Sequence, residues 1–150
     1  MCKKIVSCTM HYSPALQQLG LTAIRICLGI IFLIFGYNKL ISGSANLTQI
    51  GSAVSYFGIT RGYLLWGYVA ALTELCGGLA YTFGLWTRLA SIPLLLFLIV
   101  ALKFHLQKGD PFTEWAFACL CLCIVISFLV TGSGAYSIDY LIQKNTHSMH

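Results

Sequence analysis

The stretch RICLGIIFLIFGYNKL, residues 25–40, decides the fold of this chain. It is apolar enough to lie in lipid, yet it begins with an arginine and ends with an asparagine and a lysine before the final leucine. A charged side chain at the centre of a bilayer costs about 2.5–3.5 kcal/mol on insertion scales, so such residues face the protein interior and find partners there. The rest of the sequence has to supply those partners.

The overall composition is that of a membrane protein. Hydrophobic residues make up 58% of the 150 residues, charged residues make up only 9%, and the mean hydropathy is +0.82. Soluble domains carry about 25% charged residues, so a soluble protein is excluded. The length allows a single membrane domain, residues 1–150, because four spans of about 20 residues use roughly half of the chain.

Four stretches are long and apolar enough to cross a bilayer as helices, with turn residues between them. They cover residues 19–41, 63–85, 89–106 and 115–131. None of them shows the alternation of apolar and polar residues that a barrel strand requires. The sequence therefore predicts an all-α integral membrane protein, a four-helix antiparallel bundle.

Between the first two spans lies the segment NLTQIGSAVSYFGI, residues 46–59. Its apolar residues recur at steps of three and four, which is typical of a helix lying at the membrane surface. They are Leu47, Ile50, Val54 and Phe57. A short interfacial helix is predicted here, and a loosely ordered loop is the alternative.

Basic residues do not decide which way the bundle faces, because four of them fall on each side. Lys3 and Lys4 precede the first span, and the first span usually dominates orientation. We therefore predict that both termini face the cytoplasm.

Glu74 is the most deeply placed charge in the sequence. At 1.5 Å per residue it lies about 16 Å inside a span that begins at Tyr63, and Arg25 lies about 9 Å inside a span that begins at Leu19. The two helices are antiparallel, and the difference of about 7 Å in depth is close to the reach of an extended arginine, which brings several donors to one carboxylate. We therefore predict an ion pair between Arg25 and Glu74 at the centre of the bundle.

Small residues share a helix face with each of these charges. The face in the first span carries Arg25, Gly29, Phe32, Gly36 and Lys39, and the face in the second carries Gly67, Ala71, Glu74, Gly78, Tyr81 and Arg88. Small side chains permit close approach of helices in lipid. The two faces are therefore predicted to meet.

Three further polar residues, Lys39, Lys103 and His105, lie towards the other end of the predicted bundle. The two lysines are long enough to extend to the membrane surface, which is the simpler interpretation of both. His105 has two interpretations, a proton relay or polar-ligand residue, or an interfacial histidine satisfied by water. Arg25, Glu74, Lys39 and His105 are the candidate site residues.

Seven cysteines raise the question of thiol chemistry. Cys119, Cys121 and Cys123 lie in the fourth span, where a cysteine usually packs as a small hydrophobic residue and reacts poorly. We therefore interpret the cluster as structural. Because only His105 lies near a span, neither a haem with two histidine ligands nor another metal site is expected. The net charge of +5 is spread over both faces, which favours anionic lipids over nucleic acid as a partner.

From about Leu19 to Leu141 the chain resembles the DoxX family of small four-helix membrane proteins. The resemblance depends on RICLGIIFLIFGYNKL (25–40), ELCGGLAYTFGLWTRLA (74–90), a histidine late in the third span, and GSGAYSIDYL (132–141). It implies a bacterial inner-membrane protein. Some members and relatives of the family belong to thiosulfate:quinone oxidoreductases or to membrane complexes that handle thiol and peroxide stress, and the family defines no firm catalytic residues.

Two classes of function follow. The first is a membrane subunit of a redox system, in which the four candidate residues face a quinone or a small sulfur compound and the bundle docks a soluble oxidoreductase. The second is a non-enzymatic membrane anchor, or a module that transports protons or a small solute. One such bundle is small for alternating access, so transport predicts a homo-oligomer. Quinone is the candidate cofactor, and it comes from the resemblance.

Overall fold

The structure is a computed structural model that describes residues 13–147. In chain order the elements are α1 (Pro14–Ile41), α2 (Ser44–Gly51), a 3₁₀ helix (Ser52–Phe57), α3 (Tyr63–Phe83), α4 (Thr87–Lys108), α5 (Phe112–Thr131) and α6 (Ile138–His147). Lys3 and Lys4, on which the predicted orientation rests, lie outside the described residues.

Within residues 13–147, the helices α1, α3, α4 and α5 are long and apolar enough to cross a membrane. They pack in chain order as antiparallel neighbours, α1 against α3, α3 against α4, and α4 against α5. The described residues form helices and no strands, which confirms the predicted all-α bundle. The first helix begins at Pro14, earlier than the predicted Leu19, because a proline at the first helical position is compatible with the helix.

The bundle has two different ends. At the turn end, the start of α1 and the α3–α4 turn meet the segment that follows α5, as the hydrogen bonds from Ala135 to Gln18 and from Asp139 to Gly84 show. At the opposite end, here called the surface-helix end, α2 packs on α3 and the 3₁₀ helix packs on α3 and α4.

The segment between the first two spans is helical, so the prediction of a short helix is confirmed and the loop alternative is wrong. Leu47 is 1% exposed, and its carbonyl oxygen fills the space that a side chain at Gly67 would occupy. After Gly51 the helix continues in the 3₁₀ form. Val54 of the 3₁₀ helix is buried, but Phe57, also predicted on the apolar face, is 46% exposed and lies with its ring centroid 4.1 Å from the Nζ of Lys103.

Glycines bring α1 and α3 into backbone contact. A methyl group at Gly29 would lie 2.9 Å from the carbonyl oxygen of Gly78, and a methyl group at Gly78 would lie 2.7 Å from the amide nitrogen of Leu33. A methyl group at Gly36 would lie 2.7 Å from the amide nitrogen of Leu75. Side chains can turn aside but backbone atoms of a packed helix cannot, so this spacing requires glycine. The prediction that the two small-residue faces meet is confirmed.

Tyr81 of α3 lies at the centre of the apolar core. It is fully buried, and its ring contacts Phe32 of α1 and Phe128 of α5 edge to face, with ring centroids 6.4 and 5.5 Å apart. Its hydroxyl oxygen lies 2.7 Å from the Oγ of Ser91, so this buried phenol has a hydrogen-bond partner on α4. One tyrosine thus ties together all four long helices of the described chain.

Replacement of Gly78 by alanine should destabilise the bundle, because the added methyl group meets backbone atoms of α1 at 2.7 and 2.8 Å and the helices must separate. Such overpacking costs about 1–3 kcal/mol. The matched control is Gly20→Ala in α1, where nothing lies within 4 Å of the new methyl group. Alanine at a helical glycine gains about 0.5–1 kcal/mol. Thermal unfolding of detergent-solubilised protein measures both signs, and equal stability of the two variants would contradict the packing described.

Candidate functional site

An ion pair lies beside the closest approach of α1 and α3. Lys39 lies three residues after Gly36, on the same face of α1, and its Nζ donates a hydrogen bond of 2.6 Å to the Oε2 of Glu74. The side chain of Glu74 is 5% exposed and that of Lys39 is 22% exposed. The ammonium also lies 4.5 Å from the ring centroid of Phe97 on α4. A buried carboxylate thus has a direct cationic partner, as burial of a charge requires.

Arg25 does not pair with Glu74, so that prediction is wrong. Its guanidinium donates hydrogen bonds of 2.7 Å to the carbonyl oxygen of Ser133 and 2.8 Å to that of Tyr136. The error came from matching charges by depth alone, which left out the backbone carbonyls of the segment after α5. The simpler interpretation of Lys39, extension to the membrane surface, is also wrong, because this lysine is the partner of Glu74.

Arg25 instead belongs to a network of hydrogen bonds at the turn end, in which the segment after α5 takes part. Asp139, in the first turn of α6, accepts hydrogen bonds from the amides of Trp86 (2.8 Å) and Thr87 (3.4 Å) at the start of α4. Its own amide donates to the carbonyl oxygen of Gly84 at 3.1 Å. A carboxylate at a helix N-terminus satisfies free amides and favours the helix dipole. The end of the described chain therefore caps α4.

Gly84 shows why a glycine stands in this turn. It has a left-handed φ of 65°, and an added side chain there would fall on the guanidinium of Arg25. Three of the four motifs on which the resemblance depended thus meet at one place: the first-span arginine, the glycine–threonine–arginine turn and the closing segment with Asp139. Their arrangement holds the helices together, and the local sequence gave no signal that residues so far apart would join.

His105 has a partner that sequence reasoning missed. Its Nδ1 lies 2.7 Å from the Oδ2 of Asp110, and the Nζ of Lys108 lies 3.3 Å from the other carboxylate oxygen. The hydrogen bond with His105, assisted by Lys108, holds the pKa of Asp110 below its usual value. The signal in the sequence was a carboxylate five residues after the histidine, just past the end of α4. Lys103, by contrast, points away and donates to the carbonyl oxygen of Tyr56 at 2.7 Å.

Two cavities meet at Lys39 and His105. The first, here called the apolar cavity, has a volume of about 420 Å³ and lies between α3, α4 and the segment formed by α2 and the 3₁₀ helix. Its walls include Val54, Trp66, Phe97, Phe104, Lys39 and His105. The second, here called the polar cavity, has a volume of about 460 Å³ and lies between α1, α4 and α5, with Glu74 of α3 at its side. Its walls include Lys39, Glu74, Phe97, His105, Thr113 and Glu114. Lys39, Phe97, Ala101 and His105 line both.

The structure therefore brings together Lys39, Glu74 and His105 and leaves Arg25 at the other end of the bundle. Of the clustered cysteines, Cys121 is 2% exposed in the core while Cys123 faces outward. No cysteine of the described residues lines either cavity. That they serve only for packing stays a prediction.

Comparison with known proteins gives the following matches. The DoxX family model matches residues 20–106. The chain is 34% identical to "Inner membrane protein YqjF" of Escherichia coli (strain K12) over 133 residues, which cover 86% of this chain and 96% of that protein. It is 28% identical to "Putative oxidoreductase CatD" of Bacillus subtilis (strain 168) over 127 residues, 85% of this chain and 90% of that protein. No solved structure matches.

A double-mutant cycle tests the ion pair. Lys39→Met and Glu74→Gln should each destabilise the protein, because loss of one partner leaves a buried charge unpaired, at about 3–5 kcal/mol in protein interiors and less in many membrane contacts. The double variant should regain part of that loss. The comparison cycle, Arg25→Gln with Glu74→Gln, should be additive to within about 0.5 kcal/mol, because the two residues share no partner. Thermal unfolding in detergent measures both cycles, and coupling of Glu74 to Arg25 rather than to Lys39 would contradict the geometry.

Proposed function

This chain belongs to the DoxX family, and on that premise we propose that it is a membrane subunit of a quinone-linked redox system that oxidises a sulfur compound or a thiol. The relative named as an oxidoreductase supports the redox class. The relative named as an inner membrane protein supports a location in a bacterial inner membrane, where the chain acts as one multi-pass domain. The observation that carries the proposal is the ammonium of Lys39, which is paired with Glu74 and lies in the wall of the apolar cavity.

The apolar cavity suits a quinone. Its volume of about 420 Å³ falls in the range of small-molecule sites, which are mostly apolar with a few polar groups that orient the ligand. The aromatic side chains of Trp66, Phe97 and Phe104 provide flat apolar surfaces. Lys39, Thr73 and His105 are the polar residues of the wall, and the ammonium of Lys39 and the hydroxyl of Thr73 can donate hydrogen bonds to carbonyl oxygens. These residues would hold a quinone by its ring and its oxygens.

A bound quinone would accept two electrons and two protons as it is reduced. The chain contributes orientation and proton handling. Lys39 offers an ammonium donor whose position is fixed by Glu74 and by the ring of Phe97. Glu74, 5% exposed, can hold a proton or a negative charge close to that ammonium. Electrons come from the sulfur compound or thiol through a soluble oxidoreductase partner, for which the membrane bundle serves as the dock.

A second candidate function is a non-enzymatic membrane anchor or a module for protons or a small solute. The observation that favours it is the polar cavity, which places Glu74, His105 and Glu114 around one space. A transporter of this size would act as a homo-oligomer. Quinone binding distinguishes the two candidates, because a proton or solute module has no need of an aromatic ligand site.

Trp66 provides the test of quinone binding. In a protein with Trp86→Phe and Trp115→Phe, the remaining tryptophan lies in the wall of the apolar cavity, and short-chain ubiquinone and menaquinone analogues should quench its fluorescence to saturation. Lys39→Gln should weaken binding about tenfold or more, since a hydrogen bond from a charged group contributes about 1.5–3 kcal/mol. The same protein should form quinol with thiosulfate or a dithiol once its soluble partner is added.

Arg61→Gln is the control for this test. Arg61 is exposed in the loop before α3, at the same end as Lys39, and it lines neither cavity. It removes the same charge and should leave quinone affinity unchanged. Failure of every quinone to quench Trp66 in folded protein, or equal weakening by both substitutions, would overturn the proposal and leave the anchor or transport module.

We also propose that both termini face the cytoplasm. Reporter fusions at Lys144 and at Gly109 should read opposite sides of the membrane, because α5 lies between them. The fusion at Lys144 should be cytoplasmic. Both fusions on one side would contradict the four-span arrangement, and a periplasmic Lys144 would invert the orientation.

A further inference from the structure

The polar cavity connects the buried carboxylate to a histidine near the aqueous surface. Glu74 and His105 both line this space of about 460 Å³. A water molecule takes up about 30 Å³ in the liquid, so the cavity has room for a chain of water between the two side chains. The side chain of His105 is 27% exposed, in contrast to the 5% of the Glu74 side chain. His105 is thus placed between the buried pair and the solvent.

Asp110 fixes the state of the His105 ring. It lies in the loop between α4 and α5, 2.7 Å from Nδ1, and its low pKa keeps it ionised at neutral pH. A carboxylate can only accept a hydrogen bond, so Nδ1 carries the hydrogen and Nε2 is the nitrogen left to take up a proton.

We propose that His105, positioned by Asp110, carries protons between Glu74 and the aqueous face at the surface-helix end through the polar cavity. This inference rests on the proposed function and adds the route by which protons reach or leave the redox site. In the outward direction the Glu74 carboxyl group releases a proton, cavity water passes it on, and His105 accepts it at Nε2. The imidazolium then gives one proton to solvent. Each passage moves one proton and no electrons, and the reverse sequence delivers a proton to Glu74.

The charges around this route come from every long helix that borders it. They are Lys39 on α1, Glu74 on α3, Lys108 at the end of α4, Asp110 in the following loop and Glu114 at the start of α5. Lys103 is turned away towards the carbonyl oxygen of Tyr56. Glu114 is exposed at the mouth of the cavity, so it can attract protons there but lies outside the chain of contacts that fixes His105.

Infrared spectroscopy can follow this proton without any quinone or electron donor. The carbonyl band of protonated Glu74, identified by its loss in Glu74→Gln, is recorded after a pH jump on protein in vesicles. His105→Gln should slow the response at least about tenfold, since positioned acid–base groups contribute about 10²–10⁴-fold to proton transfer. Added imidazole should restore the rate in His105→Ala. Asp110→Asn, which keeps the ring but removes the charge, should slow the response by a smaller factor.

Lys103→Gln is the matched control, because this residue lies on the same helix, loses one charge and lines neither cavity. Its proton rate should equal that of the wild type. Unchanged rates in both His105→Gln and Asp110→Asn, or a Glu74 band that never responds to pH, would overturn the proton route. Quinone quenching of Trp66 is measured on the same variants. Absence of quenching in the Trp86→Phe, Trp115→Phe protein without further substitution would overturn the proposed function alone, because the infrared rates do not depend on quinone.

Discussion

The backbone contact of α1 and α3 is the constraint on which the rest of the structure depends. Gly29, Gly36 and Gly78 let the two helices approach until backbone atoms touch. At that distance the side chains that flank the contact are within reach of each other, and Lys39 donates a hydrogen bond of 2.6 Å to Glu74. A wider separation would leave Glu74 in an apolar interior without a cation, which lipid does not tolerate. Small residues and the ion pair are thus two parts of one interface.

The charged side chains at the two ends of the bundle have different kinds of hydrogen-bond partner. At the turn end, Arg25 and Asp139 bond mainly to backbone groups and close the fold. At the surface-helix end, Lys39, Glu74 and His105 bond to side chains and face cavities. Bonds to backbone fix a geometry, whereas side-chain pairs beside open space can exchange protons and partners. This separation closes the turn end with hydrogen bonds to backbone groups and leaves the surface-helix end open to two cavities.

Much of the fold could be predicted from the sequence, because span length, helical phase and small residues are local properties. The four spans, the short helix near Leu47 and the meeting of the glycine faces all follow from them. The partner of each charge could not be predicted in the same way. Depth favoured Arg25 for Glu74, but the carbonyl oxygens of Ser133 and Tyr136 are invisible in a list of charged residues. Cavities, likewise, depend on how side chains from three helices pack.

The cap on α4 has a consequence for the order of assembly. Trp86 stands in a left-handed conformation with a φ of 49°, and its amide is held by a carboxylate 53 residues later in the chain. During synthesis, the turn between the second and third spans therefore emerges long before the group that stabilises it exists. The hairpin of α3 and α4 is therefore made before its cap, and the hydrogen bonds from the amides of Trp86 and Thr87 form only after Asp139 has been synthesised.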